Sequence, residues 1–182
     1  MLNTIIDEAV EILEKGGTII YPSDTLWALG CDATNNSAIN KIIEIKKRDR
    51  KLPLICLMSS IEMLERYVYV GNEEKKFLKS NNFPTTIIFE KIKNFSTFKN
   101  SVAIRIPDNL FCQNLIKKFN KPITSTSVNF SGQKSPNYFR EIDPDILDRV
   151  NHISKIGLNK KMSKASRIIK ILEDGTIKIL RS

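Results

Sequence analysis

The sequence predicts an α/β protein with a mixed sheet, partly parallel and partly antiparallel. Three observations carry this reading. Apolar periods near 3.6 and near 2 follow one another along the chain, so helices interleave with short strands. Asp174-Gly175 separates two alternating runs, 167–172 and 176–181, which is the pattern of a β-hairpin. The 182 residues suit one domain with a real core and are short for two, so a single domain over 1–182 is expected.

The elements follow in order. Residues 4–15 read as a helix, with Ile5, Ala9, Ile12 and Leu13 on one face, Asn3 or Thr4 as its cap and Gly16-Gly17 as its stop. Thr18 to Tyr21 form a β-branched strand ended by Pro22, and a polar loop is expected over 23–36. A second helix is expected over 37–47. The apolar run 53–58 reads as a strand buried on both faces. Two short helices flank Gly71-Asn72 within 60–80. Strands follow at 85–89 and 101–106, joined by a polar connection, and 109–119 reads as a helix. A short strand at 122–125 leads into a Ser/Asn/Gly-rich loop over 126–137, and 139–150 is weakly helical.

The composition narrows the function classes. The formal net charge of +9 predicts attraction to anions such as phosphate ligands, RNA or acidic surfaces, and says nothing about fold. The three cysteines, Cys31, Cys56 and Cys112, are widely spaced, so neither a zinc site nor a disulfide framework is expected. The single histidine, His152, lies in no motif and reads as structural. The N-terminus lacks a cationic lead before an apolar stretch, and no apolar run approaches the ~20 residues of a membrane span. A cytoplasmic protein with no membrane partner is expected. Walker, dinucleotide-binding and nucleophile-elbow motifs are absent from the sequence.

Four segments hold more polar residues than a turn needs. Tyr21-Pro22-Ser23-Asp24-Thr25-Leu26-Trp27-Ala28-Leu29-Gly30 leaves a strand end with hydroxyls, one carboxylate and the sole tryptophan. In Glu44-Ile45-Lys46-Lys47-Arg48-Asp49-Arg50-Lys51, five of eight residues are cationic. Alone that is a solvated helix end offsetting the macrodipole, but Lys46 and Arg48 could also clamp a polyphosphate. Ser125-Thr126-Ser127-Val128-Asn129-Phe130-Ser131-Gly132 crowds hydroxyl and amide donors into a turn after a strand. Arg105 lies in an otherwise apolar strand, where a charge needs a partner, either a ligand carboxylate or a protein acid.

Together and in this order, the segments resemble the YrdC-like family of L-threonylcarbamoyladenylate synthases. The family loop Tyr-Pro-Thr-Glu/Asp-Thr-x-Tyr-Gly-Leu-Gly matches 21–30. Its Lys-x-Arg pair matches Lys46 and Arg48. Its Ala-Val-Arg-x-Pro strand matches 103–107, and its Ser-Thr-Ser-Ala-Asn-x-Ser-Gly turn matches 125–132. Its closing Ile-Leu-Arg matches 179–181, so the chain resembles the short form of the family. The departures are Trp27 for a usual Tyr, Ala28 for Gly, Leu52 for Asn or Lys beside Lys51, Leu57 for a His of some members, and Phe83-Pro84-Thr85-Thr86 for a Pro-Gly-Pro-x-Thr stretch.

The resemblance implies a twisted open sheet with flanking helices and a concave, positively charged groove. It implies condensation of L-threonine, bicarbonate and ATP to threonylcarbamoyl-AMP and pyrophosphate. Mg²⁺ would arrive with ATP. Partner threonylcarbamoyltransferase proteins would then modify adenosine 37 of tRNA, and tRNA itself is a candidate partner. Residue by residue, Thr25, Arg105, Ser125 and Ser166 would hold threonine. Arg48, Ser101, Ser127, Ser135 and Arg181 would contact the nucleotide, and Lys46, Arg48, Ser127 and Asn129 would form the catalytic set. A non-catalytic RNA-binding module, motivated by the charge, is the competing reading. Against it, aromatics are 8% and no RNA-recognition pattern is present.

Overall fold

The computed structural model describes residues 2–49, 54–162 and 164–182. The elements are α1 (Leu2–Glu14), β1 (Ile19–Pro22), β2 (Trp27–Gly30), α2 (Asn36–Ile45), β3 (Ile55–Leu57), α3 (Ile61–Tyr67), α4 (Asn72–Ser80), β4 (Thr85–Phe89), β5 (Val102–Arg105), α5 (Leu110–Phe119), β6 (Ile123–Ser127), α6 (Pro144–Leu147), β7 (His152–Ile153), β8 (Arg167–Ile171) and β9 (Ile177–Arg181). A single 3₁₀ turn, Phe139–Glu141, precedes α6.

The helices form where stripe and cap agree. In α1 the buried residues Ile6, Ala9, Val10 and Leu13 recur at helical spacing, and Gly16 ends the segment at φ 68°, a left-handed conformation that glycine adopts without strain. The helix starts at Leu2, so Asn3 and Thr4 lie inside it rather than capping it. Asn35 caps α2 by accepting from the Ala38 N–H, Ser60 caps α3 through Met63 N–H, and Asn109 caps α5 through Cys112 N–H. Asn120 closes α5 in the left-handed region, at φ 57°.

The strands form one sheet in the order β7-β1-β2-β6-β3-β5-β4-β8-β9. Among the described residues, three parallel pairs (β1 with β7, β3 with β5, β4 with β8) stand among five antiparallel ones, so the predicted mixed open sheet is present. Two strands were not expected. The polar loop of 23–36 contains β2, which folds back on β1 through Pro22↔Trp27 to Ile19↔Gly30. Its run Trp27-Ala28-Leu29 lacks alternation because it is buried on both faces. β7 is two residues long and adds to the edge beside β1, with His152 opposite Ile19. The expected helix over 139–150 is reduced to the 3₁₀ turn and α6. The start of the strand expected at Pro53 lies outside the described residues. The Asp174-Gly175 hairpin is present, with Gly175 at φ 83°.

Strand pleating assigns each residue to a face. On one face Ile19, Tyr21, Cys56, Ile104, Ile87 and Ile169 join α1, α3 and α5 in the larger core. On the other, Ile20, Trp27 and Leu29 pack under α2 with Ile42, Ile45 and Ile146 in a smaller one. That second face is closed over β1 and β2. Over β3, β5, β4 and β8, Ile55, Ala103, Ile88 and Ile168 line an open cavity instead.

Candidate active site

The cavity measures about 290 Å³ and sits where the smaller core stops. Its floor is apolar, and its rim carries Thr25, Arg48, Arg105, Ser125, Ser127, Ser166 and Arg181. Seven residues chosen from the sequence therefore meet at one place. They come from the β1–β2 hairpin, the end of α2, β5, β6, and the two strands of the C-terminal hairpin with their approach.

The β1–β2 turn is built by Ser23. Its Oγ accepts the backbone N–H groups of Thr25 and Leu26, each at 3.1 Å, and donates to Leu26 O at 2.8 Å. That tight turn turns Asp24 and Thr25 toward β5. Arg105 Nη1 donates to Asp24 Oδ1 at 2.6 Å and to Thr25 Oγ1 at 3.1 Å. The ion-pair side chains are 3% and 5% exposed. Of the two partners open to Arg105 from the sequence, the protein acid is present. Arg105 Nε and Asp24 Oδ2 are buried without a partner among the described residues, so the pair keeps a donor and an acceptor in reserve.

Lys46 is also buried, at 2% exposure. Its Nζ donates to Ser127 O at 2.5 Å and Asn129 O at 2.7 Å, while its own carbonyl accepts from Ser131 N–H. Burial, with Arg48 adding repulsion, pulls the ammonium down to about 8. Asn129 Nδ2 ties the same turn to the carbonyls of Phe130 and Gln133. Lys46 and Asn129 thus brace the turn and do not line the cavity; Ser127 does. Arg48 reaches the rim beside Thr126, 3.4 Å from its Oγ1, and burial lowers its affinity for the proton.

On the far rim Arg181 Nη2 donates to Ser166 O at 2.7 Å, and Ser166 Oγ lies 2.7 Å from Thr86 Oγ1. Burial and the neighbouring Arg105 lower the Arg181 value too. Ser101 and Ser135 stand apart from the cavity: Ser101 is exposed at the head of β5, and Ser135 is half-buried beyond the turn. Leu57 is buried in the larger core opposite Arg105, and Lys51 and Leu52 lie outside the described residues. Asp24, Ser23 and Thr126 were missed as site residues. For Asp24 the available signal was its place as the one acid beside Thr25.

Clustered arginines and hydroxyl donors over an apolar floor define a site for a small, multiply anionic substrate on an open mixed sheet. The profile of the Sua5/YciO/YrdC family, described as "Telomere recombination", matches residues 11–182, and the chain belongs to that family. A Methanocaldococcus jannaschii relative, provisionally named a threonylcarbamoyl-AMP synthase, is 36% identical over 181 residues, covering 94% of this chain and 84% of its own. A Vibrio campbellii protein named threonylcarbamoyl-AMP synthase is 28% identical, covering 96% and 97%. The structure of P. abyssi Sua5 complexed with L-threonine aligns with a TM-score of 0.79 at 25% identity, covering 97% of this chain. The chain spans about half of that protein, 53%.

Proposed function

We propose that the chain is an L-threonylcarbamoyladenylate synthase. The observation that carries this reading is the single cavity shared by Arg105 and Thr25 on one side and Arg48, Ser127 and Arg181 on the other. Two anions have to meet in this reaction, and the cavity is lined by cations. The threonine amine combines with bicarbonate to give the carbamate and water. A carbamate oxygen then bonds to the α-phosphorus of ATP as the bond to the β-phosphate oxygen breaks and pyrophosphate leaves. Arg105 and Thr25 would hold threonine, with Ser125 and Ser166 beside them. Arg48 and Arg181 would screen the phosphates, and Ser127 would donate to charge developing at phosphorus. Little side-chain proton transfer is required, and holding the reactants in line supplies most of the rate.

Mg²⁺ would enter as MgATP, with phosphate and water oxygens as its ligands. The residues do not offer it a protein cage: Asp24 is committed to Arg105, and no group of three His, Cys, Asp or Glu that could hold a metal exists among the described residues. The product would pass to threonylcarbamoyltransferase proteins acting on adenosine 37 of tRNA.

The names of the relatives favour this enzyme over a non-catalytic RNA-binding module. No helix among the described residues is long and apolar enough to cross a membrane. The test is pyrophosphate release from ATP with threonine and bicarbonate, with mass spectrometry of the product made from labelled bicarbonate. Release that is indifferent to threonine refutes the assignment. RNA affinity that falls with salt, in a protein that does not turn over ATP, favours the other reading.

A further inference from the structure

The connection between β7 and β8 has little freedom. β7 is at one edge of the sheet, and β1, β2, β6, β3, β5 and β4 separate it from β8. At about 4.8 Å per strand the two lie roughly 34 Å apart around the sheet. Residues 154–166 bridge them, and their fully extended reach is about 45 Å. Its described residues lie on the cavity face as a strap, with Met162 in the smaller core and Ala165 and Ser166 at the cavity. Met162 anchors it, buried at 3% exposure, with its N–H donating to Asn137 O at 2.7 Å. Ala165 and Ser166 then descend to the cavity wall.

Beside the strap lies a second chamber of about 230 Å³, lined by Lys160, Lys161 and Lys164 together with Phe83, Asp24 and Thr25. Thr25 and Ala165 also line the main cavity, so the two spaces share a wall. None of the three lysines forms an ion pair among the described residues. The one acid at the chamber, Asp24, is held by Arg105. The chamber is thus net positive. Arg48, Ser127 and Arg181, the residues on the phosphate side, do not border it.

We infer that this chamber admits and holds the bicarbonate ion that carboxylates the amino acid. The inference rests on the proposed synthase activity. Charge and position select the ligand. A water molecule's share of liquid volume is about 30 Å³, so the space has room for a small anion with part of its hydration shell. It opens beside Thr25, where the threonine amine is to be converted, rather than beside the phosphates. Converging lysine charge raises the local concentration of a monoanion and its rate of arrival. Amine and bicarbonate give carbamate and water with all atoms accounted for, and a proton passes to solvent when the amine starts as ammonium.

The experiment is steady-state pyrophosphate release with sodium bicarbonate varied at fixed high ATP and threonine. The triple variant Lys160→Ala, Lys161→Ala, Lys164→Ala changes exposed side chains only. Its KM for bicarbonate is expected to rise about tenfold, the low end of electrostatic focusing, with KM for ATP and threonine moving less than about twofold. Added NaCl should raise the wild-type KM for bicarbonate and leave that of the variant nearly flat. The triple variant Lys15→Ala, Lys76→Ala, Lys118→Ala removes the same charge from surface pairs elsewhere and should keep the wild-type value. A rise confined to KM for ATP or for threonine overturns the inference, and so does an equal rise in the control. An unchanged bicarbonate KM in the strap variant, with wild-type turnover dependent on bicarbonate, overturns this inference alone. Wild-type turnover that ignores bicarbonate overturns it together with the proposed activity.

Discussion

Lys46 and Arg105 are both buried cations within reach of one cavity, and they are compensated in opposite ways. Arg105 faces a carboxylate, Asp24, that returns a full charge. Lys46 faces two backbone carbonyls, which supply dipoles only. The ammonium, solvated by carbonyls alone, drops to about 8. One cation therefore belongs to an ion pair that orients Thr25, and the other is a brace whose charge state can change. Removing the compensating group should be severe at Arg105, and removing the cation itself should be milder at Lys46.

The largest expected effect follows from Asp24→Asn. It keeps the shape and leaves Arg105 buried with no counter-charge, at a cost of about 3–5 kcal/mol. Urea unfolding midpoints measure it, and a loss under about 1 kcal/mol would mean that Arg105 finds solvent or another acid. Next is Lys46→Met, which leaves the carbonyls of Ser127 and Asn129 without their shared donor. A loss of about 1–3 kcal/mol is expected, together with collapse of kcat as the turn holding Ser127 loosens. Stability lost with kcat retained would make Lys46 a purely structural brace.

The pH dependence tests the Lys46 brace directly. The folded value of Lys46, about 8, is below its ordinary 10.5. Between those two values the unfolded chain holds the extra proton, so stability rises with pH across that window. Below about 8 both states are protonated and the burial cost is constant. Relative to Lys46→Met, the wild type should gain up to about 1.4 kcal/mol per pH unit inside the window. A wild-type-minus-variant difference that is flat from pH 8 to 10.5 refutes the carbonyl-brace account.

Arg181→Ala should be gentler. Arg181 lies on the edge strand β9, exposed over much of its length, with its guanidinium partly buried where it bonds Ser166. Its removal should change stability by no more than about 1 kcal/mol and should raise KM for ATP. An effect on threonine alone would reassign it to the other side of the cavity. The smallest effect is optical. Trp27 is the sole tryptophan and lines the cavity, with its indole N–H unpartnered among the described residues. Adding ATP and threonine should shift its emission, and silence would argue that the ligands bind away from β2.

Much of this was readable from local pattern. The stripes of α1 and α5 marked their helices, and Asp174-Gly175 marked its hairpin. β2 was hidden because a strand buried on both faces carries no alternation, and its polar approach reads as loop. β7 was hidden because two residues cannot show a period. Within the site, residue type pointed to Thr25, Arg48, Arg105, Ser125, Ser127, Ser166 and Arg181, and all seven line one cavity. It did not separate Lys46 and Asn129, which brace, from Ser127, which faces the cavity. It also did not foresee that Ser101 and Ser135 stand away from the cavity.

Local order along the chain thus determined the elements, the turn chemistry and the inventory of cations and hydroxyls, because caps, periods and turn residues act over a few positions. Tertiary structure alone decided that β6 pairs between β2 and β3, which carries Ser127 onto the ammonium of a residue 81 positions away. It also decided that α2 covers half of the second face and leaves the other half open. Those outcomes depend on which long-range pairings bury the most surface together, and that is a property of the whole sheet. The partner of Arg105 belongs to the same class: the sequence called for one, and only the hairpin's return over β5 chose Asp24.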